Sequence, residues 1–201
     1  MAAVVVIGTN TPFGVALPTP MDETQLGMAM DIVIRDMRPE DARAFLEIHR
    51  AAVRGVAAND YPPEVIDAWA PAQETDEAVA FVRANPEGEL RLIAEIGGCI
   101  VGVAALVVTK AELRACYVAP EATRRGVGSA LVRKLEQVAR EQGLAFLGFD
   151  SSVTAAPFYE ALGYENREAG EHVLASGQRM ACVKMRKALS PPNTDNTTNP
   201  Y

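Results

Sequence analysis

Residues 117–131 decide the fold of this chain: Tyr117-Val118-Ala119-Pro120-Glu121-Ala122-Thr123-Arg124-Arg125-Gly126-Val127-Gly128-Ser129-Ala130-Leu131. The run begins as an apolar strand, breaks at its proline, passes through a basic turn and enters a helix. The first N–H groups of a helix lack intrahelical partners and together carry about half a positive charge. Glycines at 126 and 128 let a phosphate approach these N–H groups, and two arginines add charge. The stretch therefore predicts a pyrophosphate-binding turn.

Two common phosphate-binding motifs do not match this turn. A Walker loop needs Gly-Lys-Ser/Thr, and the sequence has no such run. The dinucleotide fingerprint needs a third glycine, but position 131 is Leu. The remaining pattern, a strand ending in Tyr-Val-x-Pro and then Gly-x-Gly, resembles motif A of the GCN5-related N-acetyltransferase (GNAT) family, Gln/Arg-x-x-Gly-x-Gly/Ala. In that family the turn binds the pyrophosphate of acyl-coenzyme A. The match departs from the pattern at Thr123, where the family usually has Gln or Arg.

A second stretch supports the same resemblance: Asp150-Ser151-Ser152-Val153-Thr154-Ala155-Ala156-Pro157-Phe158-Tyr159-Glu160-Ala161-Leu162-Gly163-Tyr164. It is similar to the C-terminal motif of the family, a turn of small residues followed by Phe-Tyr-Glu-x-x-Gly-Phe/Tyr. The two motifs occur in the order and at the spacing that the family has. By this resemblance, which covers roughly residues 31 to 189, the chain is identified as a member of the GNAT family.

The composition fits one domain that binds neither membrane nor nucleic acid. The 201 residues suffice for a sizeable core, and no apolar run reaches the roughly 18 to 20 residues of a membrane span. The net charge of −7 disfavours a nucleic-acid partner. Cys99, Cys116 and Cys182 lie in apolar runs and are expected to be reduced core residues; no Cys/His cluster predicts a metal site. The apolar opening lacks the basic start of a secretion signal, so we expect a cytoplasmic protein.

The pattern along the chain predicts a flexible leader over residues 1–30, the domain over 31–189 and a disordered tail over 190–201. Within the domain we expect a strand, two or three helices, three strands, a helix, a strand, a short helix and two strands. This order predicts a mixed α/β (α+β) fold around a largely antiparallel sheet, with a hairpin turning at Gly97-Gly98. Strands at 112–118 and 144–149 should be parallel neighbours joined by a right-handed crossover helix. The resemblance implies that these two strands splay apart and hold acyl-CoA between them.

The resemblance also implies where acetyl-CoA binds. The main-chain amides of Cys116 and Val118 would hold the pantetheine arm and polarise the acyl carbonyl, and the amides of residues 124–129 would bind the pyrophosphate. Thr154 stands where many relatives have an asparagine that contacts the pantetheine arm. The full set of predicted cofactor-binding residues is Cys116, Tyr117, Val118, Thr123, Arg124, Arg125, Gly126, Val127, Gly128, Ser129, Thr154 and Phe158.

Acetyl transfer to an amine needs a neutral nucleophile and a proton for the departing thiolate. Tyr159 matches the family tyrosine that lies near the coenzyme sulfur, and a phenol with an ordinary pKa near 10 could donate that proton; the alternative is a core tyrosine. Glu112 is the candidate base, because some relatives have a glutamate there that acts through a water. The alternatives are a solvent-exposed Glu112, His172 as the base, or proton loss through a water chain.

The acceptor pocket is expected to come from residues 56–69 and from the loop joining the last two strands. Tyr61 and Trp69 would provide aromatic walls, Asp60 or Glu64 a charge for an ammonium group, and His172 a further contact. Eight acidic residues lie between positions 57 and 89, against a single arginine, Arg83. They form either a solvated helix face or a field that attracts a cationic amine. Trp69 is equally compatible with core packing.

We therefore predict an N-acetyltransferase that moves an acetyl group from acetyl-CoA to a primary amine of a small molecule or peptide. Two other interpretations remain open: a non-catalytic acyl-CoA-binding or regulatory module, and a subunit that docks on a protein through residues 57–89. The sequence also leaves open whether the chain forms a homodimer. Neither the acceptor nor the acyl chain length follows from the fold.

Overall fold

The computed structural model describes residues 31–189, and the predicted leader and tail lie outside this range. The strands are β1 (Ile32–Asp36), β2 (Leu90–Ile96), β3 (Cys99–Val107), β4 (Glu112–Val118), β5 (Phe146–Ser152), β6 (Glu165–Val173) and β7 (Arg179–Ala188). The α-helices are α1 (Ala42–Gly55), α2 (Pro63–Trp69), α3 (Asp76–Ala84), α4 (Val127–Glu141) and α5 (Ala156–Ala161). This order of elements agrees with the sequence prediction.

All seven strands form one open sheet in the order β1-β2-β3-β4-β5-β7-β6. Neighbouring strands are antiparallel except β4 and β5, which are parallel, as predicted. The hairpin between β2 and β3 turns at Gly97 and Gly98, whose φ angles of 58° and 80° lie in the left-handed region that favours glycine. The mixed, largely antiparallel fold is thus confirmed.

Helix α4 makes the crossover between β4 and β5. Its apolar residues recur at helical spacing, and Leu131, Leu135 and Ala139 are fully buried against the sheet. The helix ends before Gly143, which has a φ of 74°. Glycine adopts this left-handed conformation without strain and commonly ends a helix. Because the chain leaves β4 directly into the turn before α4, the N-terminus of this helix lies beside the carboxyl end of β4.

The sheet has a separate apolar layer on each face. One layer contains α4 and α5, and the other contains α1 and α2. Side chains of β4 alternate between them: Cys116 and Val118 join the layer with α4, while Ala115 and Tyr117 join the layer with α1. Strand β4 therefore contributes to both faces of the molecule at the place where it separates from β5.

Two details differ from the expectations. Cys99 is exposed at the start of β3, because the strand has only just left the hairpin turn, whereas Cys116 and Cys182 are buried; all three thiols are free. Strand β5 begins at Phe146 rather than at residue 144, and its carboxyl end extends to Ser152. The second motif therefore starts inside a strand and not after it.

Candidate active site

The turn before α4 presents backbone donors, as its sequence predicted. Arg124 and Gly126 have positive φ angles of 62° and 83°, so the chain turns sharply before the helix begins. Among the described residues, the amides of positions 124–129 have no hydrogen-bond partner. Free N–H groups at a helix N-terminus form a site for an anion, and phosphate is the usual occupant.

A small cavity lies directly against these donors. It is lined by Val118, Ala122, Thr123, Arg124, Gly126, Val127, Gly128, Ser129 and Phe158. Apart from Ala122, every lining residue belongs to the predicted cofactor-binding set. The hydroxyl of Thr123 donates to the carbonyl of Pro120 at 2.8 Å, so this side chain stabilises the turn from within. Phe158, from the second motif, forms the apolar side of the cavity.

Strands β4 and β5 separate next to this cavity. Their ladder contains the register pair Glu112↔Gly148, supported by a hydrogen bond of 3.0 Å from the amide of Gly148 to the carbonyl of Ala111. Within the described chain no further pair follows, although the strands continue to Val118 and Ser152. The gap between them opens toward the N-terminus of α4, where an extended ligand could reach both strand backbones.

Tyr159 lies inside the layer that closes this gap. Its ring contacts Phe149, Phe158 and Tyr164 with centroid separations of 4.5, 4.9 and 5.5 Å, and the residue is fully buried. Its hydroxyl has no hydrogen-bond partner in the described part of the chain. Burial raises the pKa of this hydroxyl well above its usual range, so the expectation of an ordinary phenol was wrong. The group is protonated at all physiological pH values.

The thiol of Cys116 belongs to the same buried region. Burial raises its pKa to about 12, so a reactive thiolate is disfavoured. Its predicted role, contact with acyl-CoA through the main-chain amide, stays a prediction. Thr154, by contrast, donates its hydroxyl to Asp60 at 2.7 Å and lines neither cavity. Its predicted contact with a pantetheine arm would require this hydrogen bond to be shared or broken.

A larger cavity of about 700 Å³ lies on the opposite face of the sheet. It is walled by α1, α3, the end of α2, the start of β2, β4 and the end of β6. Phe45, Trp69, Phe81 and Tyr117 supply its phenyl, indole and phenol rings. Trp69 and His172 were predicted to line an acceptor pocket, and both lie here. Ala115 and Tyr117 bring β4 to this cavity, so the strand adjoins both cavities.

The charged residues of the larger cavity are paired with one another. Arg114 contacts Glu87 at 2.9 Å and Glu112 at 2.8 Å, and Arg91 contacts Glu89 at 2.6 Å. Hydrogen bonding to Arg114 lowers the pKa of the Glu87 carboxyl to about 2. Arg114 is the extra residue of a bulge in β4, because Leu106 pairs with Leu113 while Ala105 pairs with Ala115. Both arginines among the described residues that line this cavity, Arg91 and Arg114, are thus already paired. Neither is free to bind the carboxylate of a ligand.

Three residues predicted to bind the acceptor lie outside this cavity. Tyr61 is buried, and its hydroxyl donates to the carbonyl of Ala181 at 2.7 Å and accepts from the amide of Val153 at 2.8 Å. Asp60 accepts from Thr154, and Glu64 is exposed on α2. Asp60 and Tyr61 thus fix the turn after β5. These three residues therefore do not line the larger cavity, and their assignment to an acceptor pocket stays a prediction.

The expectation that Glu112 faces the cleft also differs from the structure. Its two carboxylate oxygens accept from the Arg114 guanidinium at 2.9 and 2.8 Å, and the residue is absent from the lining of both cavities. A carboxylate held by two charge-assisted hydrogen bonds is a weak proton acceptor. Its role as the base stays a prediction.

The sequence did not predict the contact that Asp150 makes. Its carboxylate lies 3.0 Å from Nδ1 of His172, although the two residues are on different strands separated by β7. His49, from α1, also lines the larger cavity and lies against Tyr117 with ring centroids 4.6 Å apart. Only the strand order β5-β7-β6 brings Asp150 to His172, and no local sequence signal encodes this contact.

The acidic segment over residues 57–89 is largely neutralised by distant arginines. Asp76, Glu74 and Asp67 form ion pairs with Arg43, Arg50 and Arg54, which all lie on α1. The two glutamates at the end of the segment pair with Arg91 and Arg114, as described above. The long-range field that would attract a cationic amine is therefore much weaker than the local acid count indicated.

Residues 31–189 hold neither a helix that could span a membrane nor a cluster of metal ligands. No helix within this range is long and apolar enough to cross a membrane. The same residues contain no group of three or more histidine, cysteine, aspartate or glutamate side chains placed to hold a metal ion.

The family follows from comparison with known proteins. The sequence model of the acetyltransferase (GNAT) family matches residues 34–164 of this chain. This chain belongs to that family. The uncharacterized N-acetyltransferase YafP of Escherichia coli (strain K12) is 31% identical over 144 residues, which cover 67% of this chain and 82% of YafP. A spermidine N(1)-acetyltransferase of Thermoplasma acidophilum is 25% identical over 120 residues, covering 57% of this chain and 74% of the relative.

Solved structures of GNAT proteins share the fold. A GCN5-related N-acetyltransferase from Rhodopseudomonas palustris superposes with a TM-score of 0.71 at 32% identity, covering 81% of this chain and 99% of that one. The PaiA N-acetyltransferase of Thermoplasma acidophilum, solved with coenzyme A, has a TM-score of 0.61 at 21% identity and covers 79% and 99% of the two chains. The family assignment and the N-acetyltransferase relatives show that this protein is an acyltransferase.

Proposed function

We propose that this GNAT protein transfers the acetyl group of acetyl-CoA to a primary amine of a small molecule or peptide that has an apolar body. The observation that carries the proposal is the position of β4. This strand adjoins the phosphate-binding turn through Val118 and the larger cavity through Ala115 and Tyr117. A donor on one side of the strand and an acceptor on the other would meet where β4 and β5 separate.

The turn before α4 supports acetyl-CoA as the donor. Its free amides, its two arginines and its positive φ angles fit a pyrophosphate, and the gap between β4 and β5 fits the extended arm that follows. The PaiA structure named above contains coenzyme A, and a related acetyltransferase from Salmonella typhimurium was solved with acetyl-CoA. The cofactor-binding residues proposed are those that line the small cavity, together with the backbone of Cys116.

The larger cavity supports an apolar amine as the acceptor. Four aromatic side chains contribute to its wall, and Phe81 and Val173 at its edge are 47% and 56% exposed. Exposed apolar side chains at the edge of a cavity favour an apolar ligand. Because Arg91 and Arg114 are already paired with carboxylates, an acceptor carboxylate would enter a site without a free cation. A polycation would gain little, since the same ion pairs neutralise the glutamates.

Direct attack of the amine on the thioester needs no covalent enzyme intermediate. The nitrogen bonds to the acetyl carbon, the carbon–sulfur bond breaks, and the sulfur leaves with the electron pair. Tyr159 is the proposed proton donor for this sulfur. Its raised pKa makes it a weak acid, but burial in the same apolar layer raises the proton affinity of a thiolate as well, as it does for Cys116.

The decisive test is calorimetric titration with acetyl-CoA followed by measurement of thiol release with four amines. Phenethylamine and phenylalaninamide should be good acceptors, whereas phenylalanine, which adds only a carboxylate to phenethylamine, and spermidine should be poor ones. One-to-one binding with no thiol release for any amine would favour a non-catalytic module. Faster release with spermidine than with phenethylamine would contradict the proposed acceptor class.

A further inference from the structure

We propose that His172, positioned by Asp150, removes the proton from the acceptor ammonium group. This inference rests on the proposed function, since it assigns the base of that reaction. Here Asp150 is a positioning residue, and His172 is the group that touches the acceptor.

The geometry of the pair is that of an oriented base. His172 lies on β6 with 4% of its surface exposed, and its Nδ1 is 3.0 Å from an Oδ2 of Asp150 on β5. An ionised carboxylate only accepts hydrogen bonds, so in the neutral imidazole the proton resides on Nδ1. This arrangement leaves the lone pair on Nε2, the nitrogen on the other side of the ring.

Nε2 is the free end of the pair. Among the described residues it has no hydrogen-bond partner. The imidazole lines the larger cavity together with Tyr117 and Leu174, and no other histidine–carboxylate pair is present in the described part of the chain. A base in the acceptor cavity, with its proton-accepting atom unoccupied, is what an incoming ammonium group requires.

Glu112 is less suited to this task. It lines neither cavity, and Arg114 occupies both of its carboxylate oxygens. His49 lines the acceptor cavity, but it has no carboxylate partner among residues 31–189 to fix its tautomer. Of these three groups, the structure favours His172.

Other ionisable groups surround the pair and define the background for a pH profile. Asp150 belongs to β5, Cys182 and Lys184 to β7, and Glu171 to β6 itself. The other ionisable residues that line the same cavity are His49, Glu87, Glu89, Arg91, Arg114 and Tyr117. Lys184 is bound to Glu168 at 2.6 Å, and the arginines are paired as described above.

The proton balance of the step is simple. Nε2 takes one proton from the ammonium, the neutral amine attacks the acetyl carbon, and the carbon–sulfur bond breaks. The sulfur receives a proton from the buried phenol of Tyr159, and the nitrogen gives up its second proton to restore this phenol. His172 then releases the proton that it took from the ammonium to solvent. The products are the N-acetyl amine and free coenzyme A, and one proton is released to solvent overall. No oxidant, reductant or metal is needed.

The test is a pH profile of kcat/KM with phenethylamine for wild type, His172→Gln and Asp150→Asn. Wild type should reach a plateau once the imidazole is neutral. His172→Gln should be roughly 100-fold slower near neutral pH and should keep rising as the amine loses its own proton. Asp150→Asn should behave similarly, because an asparagine amide donating to Nδ1 would leave the proton on Nε2. Imidazole added to His172→Ala should restore part of the lost rate.

Two controls separate this inference from the proposed function. Glu171→Gln, on the same strand but 60% exposed at its side chain, should keep the wild-type profile. Acetyl-CoA affinity, measured by calorimetry, should be unchanged in every variant, which shows that each one folds. A His172→Gln enzyme with wild-type rates and plateau would overturn the inference while leaving the function intact. Absence of transfer by wild type would instead reject the proposed function.

Discussion

The two cavities beside β4 are built in different ways. The phosphate turn comes from one short stretch of sequence, and its functional groups are backbone amides fixed by φ angles. The proposed acceptor cavity comes from six separate helices and strands, and its proposed functional groups are side chains. The first depends on local conformation and the second on tertiary packing. This contrast explains why motif A predicted the lining of the small cavity, while three of the five residues predicted to bind the acceptor lie outside the larger one.

The strongest test of the backbone site is Gly126→Val. A Cβ at a φ of 83° strains the turn and places a side chain where the phosphate should lie, so acetyl-CoA affinity should fall by roughly 100-fold or more, equivalent to losing about two charge-assisted hydrogen bonds. Gly143→Val is the matched control, since it imposes similar strain at a φ of 74° beyond the other end of α4, in open space. Calorimetry showing equal affinities for the two variants would contradict the phosphate site.

Tyr159→Phe tests the chemistry between the two cavities. It removes a buried hydroxyl that has no hydrogen-bond partner among the described residues, so the fold and acetyl-CoA affinity should be retained. Turnover should fall by roughly 100-fold if this phenol protonates the sulfur. Tyr164→Phe is the control, because it removes a second buried hydroxyl without a partner from the same aromatic cluster. Equal kcat values for the two variants would remove Tyr159 as the acid.

Phe81→Ala tests the side-chain site at its edge. Phe81 is half exposed, so its loss should scarcely affect folding but should remove about 1 kcal/mol of apolar contact with phenethylamine. The KM for this amine should rise about fivefold, with no change in acetyl-CoA affinity. Val33→Ala, which truncates an exposed apolar side chain on β1, is the control. An unchanged KM would mean that the acceptor does not contact α3.

The smallest expected effect concerns the ion pairs at one end of the acceptor cavity. Because Arg114 lowers the pKa of Glu87 to about 2, the pair stabilises the fold fully above the usual pKa near 4.5 and loses this contribution as the pH falls toward 2. Glu87→Gln should therefore lower stability by less than about 1 kcal/mol at neutral pH, since the carboxylate is partly exposed. Urea unfolding should show the difference from wild type shrinking below pH 4.5. A constant difference would contradict this linkage.

Much of the fold was predictable because its signals are local. The apolar period of α4, the glycine pair of the hairpin between β2 and β3, and the proline that ends β4 each act within a few residues. The crossover helix then makes β4 and β5 parallel neighbours by the right-handed rule. These features are determined by backbone conformation and by burial of one helix face, which the order of residues encodes directly.

The lining of the proposed acceptor cavity could not be predicted from local sequence signals. The acidic residues at positions 57–89 looked unpaired in the sequence, yet arginines of α1 neutralise three of them across more than ten positions of the chain. Tyr61 looked like a pocket wall, but its hydroxyl fixes the turn after β5 through two backbone hydrogen bonds. Ion pairs and hydrogen bonds between distant elements depend on distances that only packing sets.

The sequence by itself indicated the family, through the resemblance of its two motifs. It also determined the strand order around the crossover and the backbone of the turn before α4, because these follow from local dihedral preferences and hydrophobic period. Only the tertiary structure decided the pairing of Asp150 with His172, the pairing of Glu87 with Arg114 and the burial that raises the pKa of Tyr159. Each of these depends on side chains from different elements meeting within about 3 Å, or on how completely the surrounding layers exclude water.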